Sequence, residues 1–310
     1  MLLPSIIFSI VAALTTWLFV RKNPASDPRL TAAILTLLLV LPLLAFLPKV
    51  EVTIAGNSQS SAVPITSYPP LIWLGGFLFF NFRLVMDYRS LRRWHRLSRF
   101  ANNHPHLAGI LKEISLPDRV EFRIHPELDS PVVSGLFRRR IYLPESSRSW
   151  SRDTIKMAVL HELGHLQRGD LWMASLARLT CLLHWFNPAV WWLRNTFQSQ
   201  CEYACDAHLV RSGADPGIYA NALCDVARSA SAPPFALAMA GHVPLRDRIL
   251  VLSKGGRQSS LLLCSIVLLT ASSAVAMSVV RFSPETSAPG PFSIGEEVEL
   301  RYTADPFPAD

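Results

Sequence analysis

Two long apolar runs open the chain and limit what it can become. Leu2 to Val20 and Leu30 to Leu47 are each long enough for a helix that crosses a bilayer. Between them lies a short turn with Arg21, Lys22, Pro24, Pro28 and Arg29. Such a basic turn belongs on the cytoplasmic side, which puts the N-terminus outside. A cleaved signal peptide is the rival reading. Against it, no basic segment precedes the first run and no small-x-small cleavage site follows it. Composition points the same way, with 50% hydrophobic and only 17% charged residues among 310.

A third span is expected from about Pro69 to Tyr88, with Arg83 snorkelling inward. The loop before it, Pro48 to Tyr68, is rich in Ser, Thr and Pro and suits the outer face. Five arginines follow the span, at 89, 92, 93, 96 and 99. A positive-inside anchor accounts for them, and for the net charge of +7, without direct nucleic-acid binding. Residues 89–257 read as a cytoplasmic domain. Residues 258–280 hold a fourth span (Leu261 to Val280), and 281–310 form a short acidic, Pro-rich outer tail. The five cysteines have no disulfide-like spacing and read as reduced core residues.

Within the cytoplasmic domain, Val120 to Ile124, Pro131 to Gly135 and Ile141 to Pro144 read as strands. Pro144 suggests that one of the last two is an edge, where an extended peptide could pair. Ser149 or Ser151 caps a helix that runs through Met157 and His165 to Arg168 and stops at Gly169. Asp170 is expected to cap the next helix, Leu171 to Phe186. Asn187-Pro188 opens a third, reaching about Arg211, and Asp215-Pro216 a fourth, reaching about Ala230. Trp191-Trp192 fits core packing and an interfacial belt equally well.

The first of these helices carries His161-Glu162-Leu163-Gly164-His165, an H-E-x-x-H pattern. Positions i and i+4 share a helix face, so both imidazoles can reach one metal ion, with Glu162 beside them to hold a water. Alone, a pentapeptide of this kind also arises by chance. The third helix adds Glu202 and Asp206, again i and i+4 and therefore on one face. Glu202 lies 37 residues beyond His165, room for one helix and a turn. Two histidines and a carboxylate, with water in the fourth place, are a hydrolytic zinc site. Asp206 would then take a hydrogen bond from the far nitrogen of one histidine. Cys201 and Cys205 also sit at i and i+4 but read more simply as small core residues. His184 and His208 read as structural or supporting. Either of them, or Tyr203, is a candidate for stabilising an oxyanion.

The blocks HELGHLQRGDLW, LLHWFNPAVWWLR, CEYACDAHLV and SPVVSGLFRRRIYLPE together resemble the BlaR/MecR-type integral-membrane zinc metallopeptidases, bacterial sensor-transducers that act as antirepressors. Three spans before the peptidase domain and one after it match that family's layout. The resemblance implies Zn2+ held by His161, His165 and Glu202, with Glu162 as general base and Asp206 as support. It also implies a protein substrate such as a transcriptional repressor, and a place in the bacterial cytoplasmic membrane. The family's best-known members carry an outer β-lactam sensor after the last span. About 30 residues follow that span here, without room for a penicillin-binding domain or its S-x-x-K serine, so direct β-lactam sensing is not expected, and both the outer tail and an extracytoplasmic partner stay open as the sensor.

The fold class expected is therefore a membrane α-helical protein with four spans and an inserted α+β gluzincin-type zinc metallopeptidase domain. The expected function is peptide-bond hydrolysis at the cytoplasmic face in regulatory proteolysis. The alternatives are a housekeeping protease of the prenyl-protein or heat-shock type, which shares H-E-x-x-H and E-x-x-x-D, and a non-catalytic membrane transducer.

Overall fold

In the computed structural model, residues 2–22, 24, 26–40, 50–54, 68–117, 119–229, 243–254 and 280–284 are described. The expected fourth span, Leu261 to Val280, lies outside them except for Val280, which begins a strand, and most of the outer loop and tail lie outside them too. Helices α1 (Leu2–Lys22) and α2 (Pro28–Val40) carry the first two apolar runs. Helix α3 (Tyr68–Leu97) continues past the expected end at Tyr88. The arginines after Tyr88 are good helix formers, with no Gly or Pro among them to stop the rod. By length and composition Leu71–Leu97 can cross a membrane, and Ile6–Arg21 and Pro28–Val40 are shorter apolar helices. Helix α3 leaves Leu71, Ile72, Leu78, Phe79, Phe82 and Val85 exposed, as a lipid-facing helix does.

Beyond α2 and beyond the fourth expected span, strands β1 (Val50–Ile54) and β6 (Val280–Pro284) pair in parallel, Val50 opposite Val280.

The α+β part holds a four-stranded sheet of β2 (Arg99–Phe100), β3 (Glu121–His125), β4 (Val132–Ser134) and β5 (Arg140–Pro144), in the order β2-β3-β5-β4. β3 and β5 are parallel, while β2 and β4 are antiparallel edges. The edge is therefore β4. The strand ending in Pro144 is internal, and its proline is tolerated because it stands at the last position. Gly135 turns the chain out of β4 at φ +91, where a Cβ would strike the Arg138 carbonyl. Helix α4 (Leu107–Glu113) and helix α5 (Arg152–Arg168) cover the sheet. Their shared core includes Ile110, Ile124, Ile141, Leu143, Ile155, Val159 and Leu163.

Ser151, of the two serines considered, caps α5 by accepting the Thr154 N–H at 3.1 Å. Gly169 ends it in the left-handed conformation at φ +74. The next helix, α6 (Asp170–Leu183), differs from expectation. Gly169 stands at its N-cap, and Asp170 makes no capping bond because its carboxylate turns back to His165 and Arg168. Helix α7 (Pro188–Arg211) starts as read, with Asn187 Oδ1 accepting the Ala189 N–H. Asp215 caps α8 (Pro216–Ser229) through the Ile218 N–H. A short helix not anticipated from sequence, α9 (Leu245–Lys254), packs on α7 and α8.

A second core joins the two halves of the chain. Phe8, Ala12, Leu35 and Leu38 from α1 and α2 pack with Ala177, Cys181, Val190, Leu193 and Phe197 from α6 and α7. Packing therefore runs across the expected boundary near residue 88.

Candidate metal centre

The centre forms where α5 meets α7. His161 and His165 project from one face of α5 with their rings edge to face, centroids 4.9 Å apart. Between them Gly164 meets Cys205 of α7. That contact brings Glu202 under both imidazoles. Its Oε2 is 3.3 Å from His161 Nε2 and its Oε1 is 3.4 Å from His165 Nε2. A tetrahedral ion with ligands at ~2.1 Å separates them by about 3.4 Å, so this donor set fits zinc. The three residues offer ligand atoms that all lie within 4.8 Å of one another.

Both outer nitrogens are backed by carboxylates. His161 Nδ1 is 3.3 Å from Asp206 Oδ1, as the sequence suggested, and 3.0 Å from the Tyr219 hydroxyl. His165 Nδ1 is 2.9 Å from Asp170 Oδ2. Such partners fix the ring and its tautomer so that Nε2 points at the metal position. Tyr219 donates to Asp206 Oδ1 at 2.5 Å, and Arg248 donates to both Asp206 oxygens at 2.5 and 2.8 Å. Arg248 also lies 3.4 Å from Glu202 Oε2.

The electrostatics follow from this enclosure. Burial alone would push Asp206 up, but hydrogen bonds from Arg248 and His161 outweigh it and hold the carboxyl at about 2. Burial likewise opposes the charge of Glu202, and hydrogen bonds from His161 and His165 drive it well below the usual carboxylate range. Glu162 differs: burial raises its pKa, only partly offset by the charges of His165 and His161. Of these three carboxylates it is the one that most readily accepts a proton.

All five expected residues, His161, Glu162, His165, Glu202 and Asp206, come together. Sequence reasoning missed Asp170, Tyr219 and Arg248. Only Asp170 had a local signal, five residues past His165 and just after a left-handed glycine. His184 lies at the end of α6 against the Thr180 carbonyl, away from the centre. Of the two cysteines, Cys205 touches the centre, 3.3 Å from His165 Nδ1. His165, Asp170 and Cys205 also cluster closely enough to hold a metal. Burial pushes the Cys205 thiol up, and its Sγ lies against the outer nitrogen of His165, on the far side of the ring from Glu202.

Two imidazoles one helical turn apart, a carboxylate from a later helix and a buried glutamate beside them make the residue set of a metallopeptidase-class site. The chain belongs to the peptidase M56 family, whose BlaR1 peptidase model matches residues 6–252. It is similar to the regulatory protein BlaR1 of Bacillus licheniformis, 27% identical over 157 residues, which cover 50% of this chain and 26% of that protein. It is also similar to the methicillin resistance mecR1 proteins of Staphylococcus aureus and Staphylococcus epidermidis. Each is 25% identical over 158 residues, 50% of this chain and 27% of the relative. The matched stretch spans about a quarter of the length of these relatives.

Proposed function

We propose that this protein is an integral-membrane zinc endopeptidase of gluzincin type that cuts a regulatory protein, such as a transcriptional repressor, at the cytoplasmic face. The observation that carries this reading is the convergence of His161 Nε2, His165 Nε2 and the Glu202 carboxylate, with Glu162 buried beside them. The four-span topology, inward basic flanks and outer tail belong to the same proposal.

Zinc, when bound, supplies a Lewis acid that polarises a peptide carbonyl and brings the pKa of water towards ~7. The chain's own residues supply the rest. Glu162 takes the proton from the attacking water and passes it to the departing amine. Asp206 and Asp170 fix the tautomer and aim of the two imidazoles and make them more basic ligands. Strand β4 has a strand partner on one side only among the described residues and lies beside α5. An extended peptide can add to that edge by backbone hydrogen bonds. A cavity of about 210 Å³ next to it, lined by Gly135, Leu136, Leu166 and Trp172, offers room for a side chain.

The test is purification in detergent, with zinc content and casein cleavage measured before and after chelation. One zinc per chain and cleavage that is lost with chelator and restored by zinc are expected. Zinc-free protein that still cleaves, or zinc-loaded protein that cleaves neither casein nor a winged-helix repressor panel, would overturn the reading.

A further inference from the structure

Helices α6 and α7 belong to the second core, and their polar contacts work as a depth gauge against α1 and α2. At the turn between them, Asn187 Nδ2 donates to Ser9 of α1 at 2.6 Å. Farther along α7, Gln200 donates to Ser26 and accepts from Thr31, both at 2.7 Å, at the basic turn joining α1 to α2. From Ser9 to Lys22, and from Asn187 to Gln200, each helix advances about 20 Å at 1.5 Å per residue. The two therefore descend together. The turn at Asn187 stands some 20 Å above the level of Arg21 and Lys22, past the middle of a hydrocarbon layer about 30 Å thick.

The composition of the hairpin suits that depth. Leu179 to Leu193 contains no Asp, Glu, Lys or Arg, and Arg178 and Arg194 flank it. Several of its polar groups find partners within the protein, as hydrocarbon requires. Thr180 donates to the Leu35 carbonyl at 2.9 Å, and Trp185 Nε1 to the Trp73 carbonyl at 3.2 Å. Trp185 and Trp191 both pack against Phe80 of α3. Leu179 is exposed, as are apolar side chains of α1 and α3 such as Leu14 and Leu78.

We infer that the α6–α7 hairpin enters the bilayer beside the spans, so that acyl chains cover its outer face. The inference rests on α1 to α3 being spans. Its consequence is positional. Glu202 lies only about 3 Å of helix rise beyond Gln200, which sets the metal centre at the headgroup level on the face of Arg21, Lys22 and Arg29. The polypeptide it meets is one lying at the membrane surface.

The test uses the unmodified full chain in phosphatidylcholine–phosphatidylglycerol vesicles doped with a phosphatidylcholine bearing a diazirine on its acyl chain. Photolysis is followed by peptide mapping. Adducts in 179–193 as well as in α1 and α3 are the expected result. Adducts in α1 and α3 with none in 179–193 would overturn the hairpin and leave the spans standing. Adducts in none of them would remove the spans and the inference together. Nitroxides at Leu183→Cys and Ala189→Cys, in a Cys224→Ser/Cys264→Ser background, give a second reading. Oxygen should relax both more than a water-soluble nickel chelate does, as at Leu14→Cys in α1. The reverse order, matching that at the exposed control Ser212→Cys, would count against the inference.

Discussion

Asp170 Oδ2 stands 2.9 Å from His165 Nδ1, on the opposite side of the ring from Glu202. Asp206 does the same for His161, so each expected ligand histidine is gripped from behind by a buried carboxylate.

Asp170→Asn keeps the shape and removes the charge. Loss of such a partner weakens metal affinity by about 10–100-fold. Competition with a zinc-binding dye should show a weakening of that size, with the helical circular dichroism spectrum unchanged.

Arg248 faces Asp206, which is 1% exposed. Removing one partner of a buried pair is costly, and Tyr219 and His161 remain to compensate in part. Arg248→Ala should lower stability by about 3 kcal/mol, and Arg248→Lys by less, because charge survives while the two-pronged geometry does not. Denaturant or thermal unfolding of the apo protein in detergent measures both.

Glu162→Gln should leave zinc content as it is and cut the rate of peptide hydrolysis by roughly 10²–10⁴-fold, the usual weight of a general base. Zinc analysis alongside casein or repressor cleavage separates the two quantities.

Two neighbouring glycines in α3 should respond in opposite ways. A Cβ at Gly75 meets nothing, while one at Gly76 runs into the Trp185 ring. That ring cannot swing aside freely, held by the Trp73 carbonyl and stacked on Phe80. Gly76→Ala is expected to destabilise by about 1–3 kcal/mol through overpacking. Gly75→Ala should be neutral or slightly stabilising. Thermal midpoints in the same detergent compare them.

What could be read in advance had short-range causes. The i,i+4 spacing put His161 with His165 and Glu202 with Asp206, and one intervening helix left α7 free to return against α5. Ser151, Gly169, Asn187 and Asp215 marked helix ends by local hydrogen bonding. Asp170 was misjudged because a cap and a histidine partner look alike in sequence, and the left-handed Gly169 decides between them by turning the chain back. Tyr219 and Arg248 reach His161 across 58 and 87 residues, and nothing local marks either. The union of α6 and α7 with the first two helices was hidden for the same reason: it depends on pairs such as Thr31 with Gln200, 169 residues apart.

Helix α7 is unbroken from Pro188 to Arg211, with its first turns in the apolar core and Glu202 on its later stretch. A helix of fixed pitch is a rod of fixed length. When the surrounding lipid thins or thickens, such a rod tilts, because it cannot shorten. With the α6–α7 hairpin in the bilayer as inferred above, lipid composition sets how far the centre stands off the membrane, and with it which residues of a nearby polypeptide come within reach.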